Sequence, residues 1–277
     1  MKSMMKRNTF REIKKSFGRY FAILAIIALG VAFFSGLKIT QSVMVHSADV
    51  YLKDLQFYDY RLVSTLGFTE ENVEALAEKE DVRAAEGAIS AEVLYKDAGE
   101  NERVIKMHSI TEKVNKLKLI AGEMPQSADE CVVDSALFSE DAIGSKLVLS
   151  ENNTTDDLDK FAYKEYTITG LVQSPCYIQF ERGNTSIGNG RISGFAYILK
   201  DGFAVDYDTE IYIKFDEDYD IYSDEYDSYM DAKEADWEAY TKEQADIRYE
   251  KIVKDAQDEL DEKKEELEEK RAEAEAE

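Results

Sequence analysis

From Tyr20 to Leu37 the chain reads YFAILAIIALGVAFFSGL, eighteen residues without a charged side chain. As a helix rising 1.5 Å per residue this run spans about 27 Å, close to the roughly 30 Å hydrocarbon core of a bilayer. The pattern predicts a transmembrane helix over residues 20–40, with Lys38 snorkelling to the interface. Ahead of it, residues 1–19 form a basic segment. Met5, Thr9, Ile13 and Phe17 recur there at four-residue spacing among Lys and Arg. Such a segment suits the anionic inner surface of a lipid bilayer, and it equally serves as an ordinary positive membrane flank.

Beyond the membrane run the periodicity changes. Residues 41–57 carry a loose helical stripe of Val43, Val50 and Leu55, and DYRLVST (59–65) reads as a strand ended by Gly67. Thr69 is placed to cap a helix whose first turn holds Glu70 and Glu71 and whose core face is Val73, Leu76 and Ala77. Val82–Lys96 and Glu102–Ile110 are β-rich and flank the turn sequence DAGEN, which predicts a hairpin. Further strands are expected at Glu130–Asp134, Lys146–Leu149, Phe161–Val172, Ser193–Leu199 and Glu210–Phe215. Strands and short helices in this order predict an α+β domain over residues 41–215 rather than a doubly wound sheet.

The last part is of a different kind. DEDYDIYSDEYDSYMD alternates acids with tyrosines, and residues 216–228 read as an acidic linker. Residues 229–277 contain no Gly or Pro and form a charged helical arm. Val253, Leu260 and Leu267 recur every seven residues, as Met230 and Trp237 do earlier, and Glu259–Lys263 and Glu266–Lys270 are favourable i, i+4 pairs. One apolar residue per heptad is a thin seam, so a two-stranded coiled coil and a single charged helix or disordered tail both remain open. The pattern breaks off at Glu277 without a capping signal, as the beginning of a longer protein would.

Charge orients the membrane run. The basic segment carries seven Lys and Arg against Glu12 alone, a net +6, whereas the rest of the chain carries −30 of the total −24. Short basic flanks stay in the cytoplasm, so the N-terminus is expected inside and residues after about 40 extracytoplasmic in the cell membrane. A cleavable signal peptide fits less well, because the run is long and leaves through FFSGLKITQS without a small-x-small site. The acid excess opposes binding to nucleic acid.

Candidate chemistry is sparse. Cys131 and Cys176 could pair or stay free, and neither His46 nor His108 stands at metal-ligand spacing to a Cys or to the other. Asp216, Asp218 and Asp220 have the opening spacing of a calcium loop, but Ile221 and Asp227 occupy positions that need Gly and Glu. Gly183-Asn-Thr-Ser-Ile-Gly188 has the spacing of a phosphate loop, but Asn189 and Gly190 stand where Lys and Ser or Thr belong. No catalytic, cofactor-binding or metal residue is assigned, and no enzymatic activity is expected.

The order of motifs carries a resemblance. FREIKKSFGRYFAI, ALGVAFFSGLK, STLGFTEENVEAL, AGEMP followed by ECVVD, IGSKLVL, YTITGLVQSP, RGNTSIGNGRISGFAYI and TEIYIKF together cover about residues 7–215. They resemble the N-terminal portion of FtsX-like (MacB-type) ABC transporter permeases of the long Gram-positive type, in which an acidic coiled-coil arm interrupts the outer region. Glu123 departs from the family turn, which has Arg there. The resemblance implies a MacB-like periplasmic core domain after one transmembrane helix, with further membrane helices in the remainder of the permease. It also implies a second permease half and a separate cytoplasmic ABC ATPase, coupled to efflux, lipoprotein handling or signalling. The alternative expectation is a single-pass, surface-anchored acidic protein whose helical arm binds a partner.

Overall fold

The computed structural model describes residues 2–97, 99–217 and 219–276, without the side chains of residues 2, 3, 6–8, 266 and 268–276. The side chains of Lys6 and Arg7, Asp218 of the acidic stretch, and the Glu266–Lys270 pair lie outside the described residues. The chain divides into two units, Met1–Tyr51 and Leu52–Glu277.

Helix α1 (Lys2–Lys15) is followed by helix α2 (Phe17–Asp54), which supplies most of the rest of the first unit. The transmembrane helix and the helix expected separately over residues 41–57 are one element. No Pro interrupts the sequence between them, so nothing stops propagation. The most apolar eighteen-residue window of α2 has a mean hydropathy of 2.3, and none of it is buried. A continuous exposed apolar surface of that size is at home in lipid rather than in water.

The second unit holds two sheets. The smaller has three antiparallel strands in the order β1 (Tyr60–Phe68), β10 (Asp208–Phe215), β2 (Val82–Ala88). Strand β1 does not end at Gly67. That glycine takes a φ of +73°, which a residue without a Cβ adopts freely, and the register to β10 shifts between Val63 and Phe68. The break expected there is a bulge. Helix α3 (Glu70–Ala77) follows, and Asn72 closes its N-terminus: Asn72 Oδ1 accepts from the Thr69 amide and hydroxyl, each at 3.0 Å.

The segment Val82–Lys96, expected as a single arm of a hairpin, divides at Ile89. Residues before it belong to β2 in the small sheet, and residues after it to β3 (Ser90–Lys96) in the larger one. The crossing is fixed by backbone and side chain together. Ile89 accepts from the Ser109 amide at 2.8 Å, and its own amide donates to the Ser109 hydroxyl at 2.9 Å. The hairpin to β4 (Glu102–Ser109) forms as expected, with Asp97 accepting from the amides of Gly99 and Asn101 at 2.9 Å each.

The larger sheet closes on itself. From β4 it continues to β9 (Ile192–Ile198, parallel), β6 (Glu130–Asp134, antiparallel) and β8 (Glu165–Gln173, parallel), then β7 (Lys146–Leu149, antiparallel), which pairs back with β3. A strand has two edges, and β8 has three partners. Its first half, Glu165–Thr167, pairs with β7, and its second half, Gly170–Gln173, with β5 (Lys118–Gly122) on the same side. Alternation fills the resulting barrel: Ala91, Val93 and Tyr95 of β3, Ile105 and Met107 of β4, Tyr166 and Ile168 of β8, and Ala196 and Ile198 of β9 form one core. Short helix α4 (Thr155–Leu158) lies in the polar loop before β8.

Helix α5 (Asp224–Ala276) is 53 residues long, about 80 Å at helical rise. It starts within the acidic stretch rather than at Tyr229. Met230 and Trp237 are not on a seam with Val253. They pack with Leu62, Leu76, Ile211, Ile213 and Phe215 on the face of the small sheet that α3 also covers. The exposed stripe begins later, with Val253, Leu260 and Leu267 each about half exposed. Among the described residues no second helix packs on this stripe.

Candidate functional site

The chemically richest region of the second unit is a buried polar layer between the small sheet and the barrel. Its centre is Glu210 on β10, which is 3% exposed. The Ser90 hydroxyl donates to it at 2.6 Å and the Tyr212 hydroxyl at 2.5 Å, while Lys106 Nζ stands 3.8 Å and Arg61 3.9 Å away. Burial alone would raise the carboxyl, but the hydrogen bonds from Ser90 and Tyr212, helped by the charge of Lys106, outweigh it and hold Glu210 below the usual range. Ser90 also donates its amide to the Thr209 hydroxyl at 2.8 Å. The residue that leads the chain from one sheet to the other is thus tied to the central strand of the first.

Next to Glu210, on the outer face of the barrel, His108 lies against two tyrosines. Its Nε2 is 2.6 Å from the Tyr177 hydroxyl, and its ring stacks on Tyr197 with centroids 5.0 Å apart. Burial, reinforced by the charge of Lys106, pushes His108 down to about 3, so the imidazole is neutral at neutral pH. The Cys176 thiol is pushed up to about 11 by burial, against a partly opposing hydrogen bond from Ser174. Burial likewise raises Tyr177 and Tyr197. An imidazole pushed down to about 3 is a weak base, and beside un-ionised phenols and a protonated thiol it chiefly offers hydrogen bonds.

The other residues singled out in the sequence are scattered. His46 is exposed on α2. Cys131 lies inside the barrel and Cys176 outside it, and both thiols are free. Among the described residues no group of three or more His, Cys, Asp or Glu is arranged to hold a metal. The 183–190 loop packs on the barrel: a Cβ at Gly188 would meet Val104 at 2.8 Å and Leu94 at 3.0 Å, and Thr185 donates to Glu92 at 2.6 Å. The amides of Thr185, Ile187, Gly190 and Arg191 are engaged within this stretch.

Two features carried no sequence signal. One is the fork between Arg182 and Asp134. The other is the root of the arm, where Asp59 accepts from Lys214 at 2.9 Å and Tyr226 at 3.2 Å, and Lys233 pairs with Asp81 at 2.6 Å. These join positions far apart in the chain, and no local spacing marks them. The acid–tyrosine alternation in 216–231 reads as a solvated connector and does not point to these partners.

No protein-family model matches the chain, and no curated protein matches it. Among solved structures it is similar to the extracellular domain of the noncanonic ABC-type transporter YknZ from Gram-positive bacteria. That match has 12% identity and a TM-score of 0.36, covering 56% of this chain and 76% of that one. It is also similar to the periplasmic region of MacB from Actinobacillus actinomycetemcomitans, at 14% identity and a TM-score of 0.36, covering 58% of this chain and 69% of that one.

Proposed function

We propose that this chain serves in the membrane permease subunit of an ABC transporter, as its N-terminal membrane helix and extracytoplasmic domain. In this reading a separate cytoplasmic ATPase drives movement of the outer domain, and the permease works with a second permease half. The observation that carries it is the ordered run of motifs from FREIKKSFGRYFAI to TEIYIKF. These motifs coincide with structural elements: the uncovered apolar helix α2, the Gly122 turn, β8, the 183–190 loop with β9, and β10. The N-terminus is cytoplasmic and the second unit extracytoplasmic, on the strength of the +6 flank. Efflux, lipoprotein handling and signalling are all served by such coupling.

A second reading, a surface-anchored acidic interaction protein, is favoured by the long exposed arm. Mild solubilisation of the tagged protein from its own membrane separates the two. Co-purification of a nucleotide-binding ATPase with a Walker A loop, in stoichiometric amount, is the expected result. A stable preparation that lacks any ATPase and shows no nucleotide-dependent change would overturn the permease reading.

A further inference from the structure

Between α3, the early turns of α5 and the bulged strand β1 lies a cavity of about 210 Å³. Its floor is apolar, with Leu62, Phe68 and Leu76, and its rim carries Asn72, Thr241 and Gln244. None of its fifteen lining residues is Asp or Glu, although the chain contains 58 acids. Two arginines line it. Arg61 is engaged across the sheet, 3.9 Å from Glu210. Arg248 has no ion pair among the described residues, and its Nε is buried without any hydrogen-bond partner.

A guanidinium N–H withdrawn from water and left without an acceptor is unfavourable, and more so when the group is charged. Three other basic groups at least partly withdrawn from solvent in this unit, Arg182, Lys214 and Lys233, each have an acid beside them. An acid-free cavity in so acidic a chain, with an orphaned cationic donor on its wall and an apolar floor, is complementary to one kind of guest. We propose that this cavity is a binding site for a small amphipathic carboxylate, whose carboxylate is held by Arg248 and whose apolar body rests on Leu62, Phe68 and Leu76. A volume of about 210 Å³ exceeds the roughly 150 Å³ that holds a benzene ring, so an aryl-alkyl carboxylate is of suitable size.

The chain contains its own reporter. Trp237 is the single tryptophan, and its ring lies 5.7 Å from Tyr60 and 6.2 Å from Tyr240, both of which line the cavity. The test titrates the full chain, in lipid nanodiscs, with 3-phenylpropionate, with its neutral amide and with phenyl phosphate. Trp237 fluorescence and ligand-side saturation-transfer NMR are read together. The acid should give a saturable response, and the amide, which partitions more readily into lipid, a response at least tenfold weaker. Arg248→Gln should weaken the acid by about ten- to a hundredfold, the range of one hydrogen bond to a charged group. Gln244→Glu places an internal carboxylate one helical turn from Arg248 and should abolish binding while leaving thermal unfolding unchanged or raised. Equal binding of acid and amide, unchanged affinity in both variants, preference for the phosphate, or no saturable response at millimolar ligand would each overturn the proposal.

Discussion

The guanidinium of Arg182 donates Nε to one carboxylate oxygen of Asp134 at 2.7 Å and Nη2 to the other at 3.0 Å. Asp134 ends β6 and is 2% exposed, and Arg182 also donates to the Tyr177 carbonyl at 2.8 Å while standing 5.5 Å from the Phe195 ring. The fork therefore ties the 178–191 loop to the barrel wall. Removing one partner leaves the other charge buried, which costs about 3–5 kcal/mol. Arg182→Ala should lower unfolding stability by that amount in denaturant titration. Arg182→Lys, which keeps the charge but loses the planar fork, should fall between the two.

Two glycines with positive φ separate conformational strain from collision. Gly122 has φ +78°, and a Cβ there would lie 2.2 Å from the Thr169 carbonyl oxygen, where β5 meets β8. Gly144 has φ +87° and open space around it. Gly144→Ala should cost only about 1 kcal/mol, from backbone strain alone. Gly122→Ala should cost clearly more, with loss of amide protection at residues 118–122 in hydrogen exchange. Similar losses for the two would refute the collision argument.

Glu210 predicts an acid limit. Its folded carboxyl titrates below the usual range, so its contribution to stability is present above about pH 4.3, the ordinary glutamate value, and is lost as pH falls through the lower folded value. Glu210→Gln should flatten the part of the pH–stability curve below about pH 4 and cost about 2 kcal/mol at pH 7 through poorer hydrogen bonds. An unchanged acid slope would show that Glu210 does not set it.

The arm should behave as two parts. Trp237 is buried against Phe215, at 5.5 Å between centroids, so Trp237→Ala should cost about 3–5 kcal/mol and loosen the arm root. Leu260→Lys lies on the exposed stripe and should change the stability of the same unit by less than about 0.5 kcal/mol. Sedimentation of the Leu260→Lys protein checks the seam: self-association lost only in this variant would mean the stripe pairs with a second helix.

Topology rests on charge. Replacing Lys6, Arg7, Lys14 and Lys15 by Glu reverses the flank from +6 to −2 and should weaken or invert insertion. A cysteine placed at the exposed Tyr163, on a background without Cys131 and Cys176, reports the outcome through a membrane-impermeant thiol reagent. Labelling from outside in both proteins would sink the charge argument.

The apolar helix, the hairpin at DAGEN, the cap at Thr69 and the α+β class were legible because each is a local pattern. Closure of the barrel was not. It depends on β8 dividing one edge between β5 and β7, and no run of residues announces how an edge is shared. The division of Val82–Lys96 escaped for a related reason: both halves are β-rich, and only Ser109 and Thr209, far along the chain, make Ile89 a crossing point. Met230 and Trp237 looked like seam residues because a helix docking on a sheet and a helix docking on a helix use the same spacing. The Arg248 cavity left no trace in the sequence, since its signal is the absence of acids from a place that only the fold assembles.

The central strand of the small sheet is also its last. Strand β10 begins at Asp208, whereas its neighbours β1 and β2 are complete by Ala88, 120 residues earlier. During synthesis at about 5–20 residues per second, β1 and β2 wait several seconds without the strand that joins them. The barrel, whose last member β9 ends at Ile198, has all its strands before then. Assembly should therefore run outward from the barrel, with the small sheet and the arm root completed last. A nascent chain exposed only as far as about residue 200 would hold a closed barrel and two unpaired strands, β1 and β2, the state most in need of protection from aggregation.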